Sequence, residues 1–452
     1  MYTRNFSSLA TTPARKLALE LVEAAIQAAS PQELLHRSLR VRDNTLFIRK
    51  RRYALRHRRV WVLGAGKAAA QMATTVEAVL GTERIHRGLV ISAHDASGAT
   101  PEKVQVLEGD HPLPGPSSES ATRALLKLAE DVAPADLVLW LLSGGASAML
   151  VAPVPGLALA EKQAVTQALL HSGATIDEIN AVRKHLSAVK GGRLAQRLAP
   201  ATVLTLAISD VVSGRPDVIG SGPTVADPTT YADALAVLDR YGLRGKVPPP
   251  VVRHLERGAA GGLPETPKPG DACFARTATY IVGSPGAAAQ AAARSAQATG
   301  AVRTQVITDQ LAGEARTVAR VLGSIFRYRS QARPRRPQVL IAAGEVTVTV
   351  RGHGKGGRCQ ELAAALIPEI AGLPGCAVAC AATDGKDFLD GVGGALVDGE
   401  TADQAQEAGL RVEDYLQAND THGLHRRLGT LLEMGPTGTN VCDIIVCVLG
   451  AG

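Results

Sequence analysis

The sequence predicts an α/β protein of two domains, and three observations lead to that expectation. The chain has 452 residues, which is more than one ordinary hydrophobic core encloses. Hydrophobic residues make up 46% of the chain and aromatic residues only 3%, so Ala, Val, Leu and Ile must build the interior, as in strand-and-helix proteins. Short Val/Ile-rich runs also alternate with Ala/Leu-rich amphipathic runs along the chain.

Composition also limits the class of partner and the compartment. A formal net charge of +7 favours anionic ligands, but the basic stretch 37–59 carries few aromatic residues, so we do not expect nucleic acid as a partner. The N-terminus lacks an apolar signal core, and no apolar run is long enough to span a membrane. Six cysteines occur without CxxC spacing, which indicates reduced cysteines, no zinc site and a cytoplasmic protein.

Residues 344–361 form a motif that combines a predicted strand, a glycine-rich turn with cationic residues and the start of a helix. Val and Thr alternate over 346–350, as in a half-buried strand. A turn with four glycines follows and then an Ala-rich helix, and the start of a helix offers free N–H groups. The alternative is a surface hairpin with solvated cations. The turn and the helix start contain these candidate anion-binding residues: Arg351, Lys355, Gly356, Gly357 and Arg358.

Two further glycine turns follow predicted buried strands. Strand 60–63 leads into Gly64, Gly66 and Lys67, which fit the GxGxxA form of a dinucleotide fingerprint, with a lysine where a phosphate would sit. A tight turn with an exposed lysine is the alternative. Strand 137–142 leads into a second turn whose hydroxyl and N–H groups suit a carboxylate or phosphate. Its candidate residues are Ser143, Gly144, Gly145 and Ser147.

Other candidates belong to a helix and a loop. The helix predicted over 175–190 has a polar face with Arg183 and Lys190, which contacts either a ligand or solvent. His111, in a proline-rich loop, faces a ligand or has a structural role.

Acidic and hydroxyl-rich turns complete the candidates. Strand 203–208 ends at Asp210, which could bind Mg²⁺, act as a general base or cap the next element. Asp384, Asp387 and Asp390 recur at intervals of three in a turn, where aspartate is common with or without a metal. The turn 435–443 holds Thr437 and Thr439.

Taken together, these turns resemble the class II glycerate kinases, the family that carries the MOFRL domain. The matching segments cover most of the chain in the order found in the family: VLGAGKAA at 62–69, HPLPG at 111–115, LSGGASAML at 142–150, INAVRKHLSAVKGGR at 179–193, ISDVV at 208–212, VIGSGPT at 218–224, GKGGRCQE at 354–361, TDGKD at 383–387 and GPTGTNV at 435–441. The resemblance implies ATP-dependent phosphorylation of D-glycerate with Mg²⁺ or another divalent cation, generally at the 2-hydroxyl.

The resemblance also implies an architecture. We expect a Rossmann-like, three-layer α/β/α domain over 1–243, a linker over 244–275, and a smaller α/β domain with a mixed sheet over 276–452. Within the second domain the MOFRL region covers about 338–447. The active site is expected in the cleft between the domains. A homodimer is an option that the sequence leaves open.

The resemblance assigns roles to particular residues of this chain. Lys67 and Arg358 match the lysine and arginine regarded as catalytic in the family, and Asp210 is a candidate base. Asp210 and Asp384 are the candidate metal ligands. The matching motifs add Glu361 and Asn440 to the substrate and nucleotide candidates named above.

The chain departs from the family pattern at four places. Ser213-Gly214-Arg215 stands where the family has a GDD-like run, cysteines stand at 359 and 442 where asparagines are expected, and the acidic turn is one residue short. Because of the first departure, a metal must be held by Asp210 or by the 384–390 turn. Two other functions compete with the kinase: a nicotinamide-dependent hydroxypyruvate reductase, favoured by GxGxxA, and a non-catalytic sugar-acid sensor.

Overall fold

The structure, a computed structural model, describes residues 1–93, 100–212, 214–299, 303–331 and 337–450. The helices in this part of the chain are α1 (Phe6–Leu9), α2 (Pro13–Ala28), α3 (Pro31–Ser38), α4 (Ala69–Leu80), α5 (Pro116–Ala129), α6 (Ala146–Met149), α7 (Leu159–His171), α8 (Ile176–His185), α9 (Arg193–Leu198), α10 (Tyr231–Arg240), α11 (Pro249–Ala259), α12 (Pro285–Ala298), α13 (Ala315–Gln331), α14 (Arg358–Ile370), α15 (Thr401–Glu407), α16 (Val412–Gln417) and α17 (Thr421–Leu428). The strands are β1 (Leu39–Arg42), β2 (Thr45–Ile48), β3 (Arg51–Ala54), β4 (Val60–Ala65), β5 (Ile85–Ser92), β6 (Val104–Glu108), β7 (Leu137–Leu142), β8 (Thr202–Ile208), β9 (Thr277–Gly283), β10 (Arg303–Glu314), β11 (Gln338–Thr347), β12 (Ala377–Ala382), β13 (Val392–Asp398), β14 (Leu431–Glu433) and β15 (Asp443–Leu449).

The chain folds into two compact units. The parallel-sheet unit comprises Leu34–Val282, and the mixed-sheet unit comprises Met1–Glu33 together with the chain from Gly283 onward. From the sequence, residues 1–33 are expected in the first domain and residues 244–275 in a linker. In the structure the first 33 residues belong to the mixed-sheet unit, and α11, inside the expected linker, packs on α7 and α10.

In the parallel-sheet unit the strand order is β6-β5-β4-β7-β8-β9. Every pairing from β6 across to β8 is parallel. The chain starts in the middle at β4, builds outward to β6, then returns to β7 and builds the other way. This is the Rossmann-like sheet that was predicted, and its order reverses between β4 and β7. Ligand crevices in such sheets lie at that switch point, outside the carboxyl ends of the strands.

Burial explains why these segments form strands. All residues of β4, β7 and β8 are buried, as expected for parallel strands covered on both faces. Trp61 and Trp140 pack with residues of α5 and α9 in one core, while α4 packs on β4, β5 and β7. Outside the sheet, α7, α8, α10 and α11 share a second core, and α7 and α8 carry Lys162 and Arg183, two of the cationic residues described below.

The mixed-sheet unit has the strand order β10-β11-β15-β12-β13-β14. Only the β10–β11 pairing is parallel among these described strands, and the rest are antiparallel. Helices α13 and α14 pack with alternate residues of the sheet in one core. Helices α2 and α12 pack on each other and on β15. The mixed sheet predicted for the second domain is thereby confirmed.

None of the described helices is long and apolar enough to cross a bilayer.

The position of α2 leads to a test of which unit the N-terminus stabilises. Leu19 is fully buried on a helix that packs on β12 and β15. Leu19→Ala should lower the free energy of unfolding by about 2–5 kcal/mol, the usual cost of removing a buried leucine side chain. Hydrogen exchange should show the lost protection in β12 and β15.

The matched control lies on the same helix. Lys16 is exposed and pairs with Glu20 at 3.8 Å, so Lys16→Ala should change the free energy of unfolding by less than about 0.5 kcal/mol. Unchanged exchange in β12 and β15 of the Leu19→Ala protein, with loss confined to β4 and β7, would show that the N-terminus supports the other unit.

Candidate functional site

The switch point brings together two of the predicted glycine turns. The turn after β4 and the turn after β7 are joined directly, because the Lys67 N–H donates to the Gly144 carbonyl over 2.8 Å. The Ala68 N–H donates to Ser143 Oγ over 3.0 Å. The two turns therefore form one continuous surface at the carboxyl edge of the sheet.

Glycine is required here because the two turns approach so closely. A Cβ at Gly64 would lie 2.5 Å from the Leu141 carbonyl oxygen, and one at Gly66 would lie 2.3 Å from Ser143 Oγ. Gly66 also has φ +131°, which L-residues rarely adopt. The GxG pattern thus serves close packing of β4 against β7.

The amides of the fingerprint turn are already engaged. Those of Gly66, Lys67 and Ala69 donate to the carbonyls of Ile91, Gly144 and Gly66, and the amide of Ala68 donates to Ser143. A dinucleotide pyrophosphate binds this kind of turn through its N–H groups. In this chain an anion at the turn therefore depends on the Lys67 side chain.

A cavity of about 110 Å³ opens beside these turns. Four residues predicted as binding residues line it, and they come from the β7 turn and from α8 with its following loop. The lining also includes His111, for which the sequence allows either a ligand-facing or a structural role, and Lys162, which was not among the predicted residues. The polar and glycine residues of the lining are His111, Gly145, Ser147, Lys162, Thr166, Arg183 and Lys190.

Lys67 lies close to this cavity. A Cβ at Gly145 would lie 3.2 Å from Lys67 Cγ and 3.0 Å from His111 Cδ2, so both side chains flank the glycine that lines the cavity. Gly145 has φ +82°, a conformation that favours glycine. Ser147 also lines the cavity, and its hydroxyl lies 3.2 Å from that of Ser221. Ser143 and Gly144, also predicted as binding residues, bond to the neighbouring turn instead.

We call Lys162, Arg183 and Lys190 the cation trio. Lys162 and Lys190 are 3% and 1% exposed. Lys162 Nζ donates to the carbonyls of Arg183 and Leu186 over 3.1 and 3.2 Å, and Lys190 Nζ donates to that of Gly220 over 3.5 Å. Within the described part of the chain, no carboxylate pairs with any of the three.

The pKa values of the trio reflect this lack of counter-charge. Burial and the nearby Arg183 lower the pKa of Lys162 to about 7. Burial, Lys162 and Arg183 lower the pKa of Lys190 well below its ordinary value. Nearby positive charges disfavour one another, so an anion would be a favourable counter-charge in this cavity.

Lys162 could have been found from the sequence. Together with Val165, Thr166 and Leu169 it is buried on α7, and these positions recur at intervals of three and four residues, as on one face of a helix. A lysine within an apolar stripe is expected to be buried, and a buried lysine usually has a partner that compensates its charge. Lys190, predicted at the end of a helix, instead lies in a loop, because α8 ends at His185 and Ser187 Oγ accepts the amide of Lys190.

In the mixed-sheet unit the glycine-rich segment packs against its own unit. A Cβ at Gly352, Gly354 or Gly356 would lie within 2.5 Å of residues 418–421. These glycines therefore allow two backbone segments to approach each other. Lys355 is exposed, and its amide donates to Asp420.

The start of α14 is not an open anion site. The Asp387 carboxylate accepts the amides of Cys359 and Gln360 over 3.0 and 2.9 Å, and a Cβ at Gly357 would lie 2.3 Å from Asp387 Cγ. Burial raises the pKa of the Asp387 carboxyl, and the hydrogen bonds it accepts oppose that effect. A protein carboxylate thus occupies the position where the sequence analysis expected a ligand.

Arg358, the first residue of α14, is held by two carboxylates. Its Nε and Nη2 donate to Asp443 over 2.7 and 2.9 Å, and its Nη1 lies 3.2 Å from Glu345. Asp443 raises the pKa of the Arg358 guanidinium above its ordinary value, so Arg358 is a fixed positive charge. Two of its five N–H donors remain after these three contacts.

The other predicted residues of this unit make internal bonds. Glu361 accepts Arg316 Nε over 2.7 Å. The hydroxyls of Thr437 and Thr439 donate to the carbonyls of Thr383 and Ala29, and Asn440 accepts the amide of Cys442. Their proposed contacts with nucleotide stay predictions.

The candidate metal ligands lie in different units. Asp210 follows β8, and Asp384 accepts the Lys386 amide over 3.0 Å. No group of three or more His, Cys, Asp or Glu side chains arranged to hold a metal occurs among the described residues. Ser213, the first residue of the departure from the family pattern, lies outside them.

Comparison with known proteins identifies the family. A domain of unknown function, DUF4147, matches residues 17–256, and the MOFRL family matches residues 338–443. A D-glycerate 2-kinase from Thermotoga maritima is 37% identical over 434 residues, which cover 96% of this chain and 97% of that protein. The chain belongs to the class II glycerate kinase family.

A solved structure and a further relative are also similar to this class II glycerate kinase family member. The crystal structure of a glycerate kinase from Thermotoga maritima has a TM-score of 0.84 to this chain at 37% identity, covering 96% of this chain and 99% of that one. A protein from Agrobacterium vitis is 37% identical over 442 residues, 97% of this chain and 95% of its own. That protein provisionally carries the name of a hydroxypyruvate reductase.

The capping role of Asp387 can be tested by stability. Asp387→Ala should lower the free energy of unfolding by at least about 1–3 kcal/mol, because two buried amides and the Gln360 side-chain amide lose their acceptor. Chemical denaturation measures this change.

A control variant, Asp390→Ala, and a measurement in EDTA distinguish a capping role of Asp387 from a metal-binding role. Asp390 is exposed and pairs with Lys386 over 2.7 Å, so Asp390→Ala should shift the free energy of unfolding by less than about 0.5 kcal/mol. The Asp387→Ala loss should be the same with EDTA present. A loss that disappears in EDTA would mean that Asp387 acts through a bound metal.

Proposed function

We propose that this chain is an ATP-dependent kinase that phosphorylates D-glycerate to 2-phosphoglycerate. The observation that carries the proposal is the cation trio, which lies at the switch point of a Rossmann-like sheet and beside Lys67. Similarity to a protein named D-glycerate 2-kinase supports the same function.

The cation trio suits the carboxylate of glycerate. Arg183 forms no hydrogen bond or ion pair through its guanidinium with the described residues, and a planar guanidinium can bind a carboxylate with two parallel hydrogen bonds. Lys162 and Lys190 add basic groups, and we assign Ser147 and Gly145, which line the same cavity, to the hydroxyl groups. A neutral triose would leave the trio without a counter-charge.

Lys67 is placed to act on the phosphoryl group. Its side chain flanks Gly145, which lines the cavity. Phosphoryl transfer demands positioning and stabilisation of charge on the transferring group more than covalent chemistry. We assign that charge stabilisation to Lys67 and, from the mixed-sheet unit, to Arg358. Asp210 stays the proposed general base.

ATP and a divalent cation complete the proposal. Mg²⁺ in kinases is commonly held by one or two carboxylates together with substrate phosphates, which does not require a group of three protein ligands. Asp210 and Asp384 fit that donor type and stay the proposed ligands. When bound, the ion would neutralise charge on the β- and γ-phosphates.

A hydroxypyruvate reductase is the second candidate, since one relative provisionally carries that name. Hydroxypyruvate also has a carboxylate, so the cation trio suits both substrates. The two functions differ in the nucleotide that they require, ATP for the kinase and a nicotinamide dinucleotide for the reductase. The GxGxxA turn makes internal bonds through the amides of residues 66–69, which argues against a nicotinamide dinucleotide at this turn.

The test compares both reactions in one preparation. ADP should form with D-glycerate and Mg-ATP, and NADH should stay unoxidised with hydroxypyruvate. Lys67→Met should lower kcat for ADP formation by about 10²–10³, as expected when one preorganised charge donor is lost, with an unchanged thermal melting temperature.

Lys127 provides the matched control, because it is an exposed lysine of the same unit. Lys127→Met should retain wild-type kcat. NADH oxidation without ADP formation would replace the kinase by the reductase. Near-wild-type turnover in Lys67→Met would remove Lys67 from the mechanism.

The product should be 2-phosphoglycerate. A carboxylate anchored by the cation trio fixes the adjacent 2-hydroxyl, whereas the 3-hydroxyl is one carbon farther away on a rotating arm, and positioning controls phosphoryl transfer. Coupling to enolase and pyruvate kinase, without phosphoglycerate mutase, should give pyruvate at the rate of ADP release. Pyruvate that appears only after mutase is added would identify 3-phosphoglycerate as the product.

A further inference from the structure

We propose that the cavity of the cation trio takes up a proton together with its anionic ligand, so that glycerate binding is coupled to protonation of a buried lysine. The identity of the ligand rests on the proposed function. The proton coupling rests on the geometry of the cavity, and the two are tested separately.

The first step concerns the hydrogen bonds of Lys162. Its Nζ donates to two backbone carbonyls, of Arg183 and Leu186. A neutral amine has two hydrogens, so these bonds are satisfied without a third proton. Protonation would add one N–H that the described residues leave available for the ligand. The empty cavity therefore accommodates the neutral form of Lys162.

The second step concerns the charges around Lys162. Arg183 comes from α8, Lys190 follows that helix, and His111 comes from the loop before α5. Arg183 disfavours a further positive charge on Lys162, and neither Lys190 nor His111 supplies a negative charge in either protonation state.

Carboxylates on the neighbouring helices bond elsewhere. On α8, Asp177 pairs with Arg215, and Glu178 bonds to Thr175, Arg240 and Tyr241. Helix α11 packs on α7, and there Glu256 pairs with Arg244 while His254 Nε2 lies 3.2 Å from the His185 carbonyl oxygen. On α7 itself, Glu161 accepts the amide of Ala158. An anionic ligand would thus be the counter-charge that these helices do not supply.

The third step gives the sign of the pH dependence. The pKa of Lys162 in the empty cavity is about 7, and an anion beside it favours the charged form and raises that pKa. Between the two values, ligand binding must draw a proton from solution. Affinity for glycerate should be constant below about pH 7 and should fall as the pH rises above it, by up to about tenfold per pH unit for one coupled proton.

The ligand itself does not titrate in this range. A carboxyl group of this kind has a pKa near about 3.5 and stays ionised throughout. A fall in affinity above neutral pH therefore reports protonation of the protein.

The experiment is calorimetric titration of the full chain with D-glycerate at about pH 8, one unit above the lysine pKa. Two buffers with different ionisation enthalpies give the number of protons taken up. Wild type and Lys127→Met should take up about one proton per glycerate on Lys162, and any further uptake would belong to Lys190, whose pKa is also lowered. Glycerol, which lacks the carboxylate, should cause no uptake.

Two variants of Lys162 test whether this residue accounts for the proton. Lys162→Met should bind glycerate more weakly and with smaller uptake. Lys162→Arg keeps the charge but cannot lose its proton in this range, so its affinity should lose most of the pH dependence. The Lys162→Arg protein also keeps the test meaningful if the methionine variant fails to fold.

The outcomes separate this inference from the proposed function. Glycerate binding without proton uptake, in a protein that forms ADP, would overturn the coupling and leave the kinase intact. Equal uptake in wild type and in Lys162→Arg would assign the proton to another group and overturn the role of Lys162. An absence of both glycerate binding and ADP formation would overturn the proposed function and this inference together.

Discussion

Two lysines and an arginine share a cavity in which the described residues place no carboxylate. Removing a charged group from water costs several kcal/mol unless a partner compensates for it. Around these three residues the described part of the chain supplies only backbone carbonyls, at 3.1–3.5 Å from the Nζ atoms of Lys162 and Lys190. Helices α7 and α8 and the turn after β7 all border this cavity. An external anion would supply the counter-charge that these elements lack.

In the mixed-sheet unit, buried or half-buried arginines are paired with carboxylates, as buried Lys184 is with Asp227 in the parallel-sheet unit. Arg358 pairs with Asp443, Arg316 with Glu361 and Arg15 with Asp398, each through contacts of 2.5–2.7 Å. The start of α14 is covered by the Asp387 carboxylate. Because these charges are compensated internally, the unit offers a rigid Arg358 rather than a vacant cationic pocket. The cavity of the parallel-sheet unit therefore leaves its cations without carboxylate partners, whereas Arg358 is fixed by carboxylates of its own unit.

Glycine-rich turns were the strongest local signal, and their physical role differs from the simplest interpretation. Gly66 and Gly357 permit close approach to Ser143 and Asp387, so they serve contacts within the protein. Only the Gly145 turn lines the cavity among the described glycine turns discussed above. Glycine in a sequence reports that something approaches the backbone closely. It does not report whether that object is a ligand or another strand.

The sequence by itself determined the α/β class and the strands β4, β7 and β8, because these depend on local periodicity. It also determined the family and four residues that line the cavity, because these depend on contiguous motifs. The tertiary structure alone decided the strand order that creates the switch point. It also decided that α2 packs on the mixed sheet and that Asp387 covers α14. An amphipathic helix shows which face is buried but not which sheet buries it, and a carboxylate does not reveal its partner 27 or 28 residues away. Lys162 combines both situations: the sequence predicts its position on the buried face of α7, whereas the burial and the neighbouring Arg183 that lower its pKa arise only on folding.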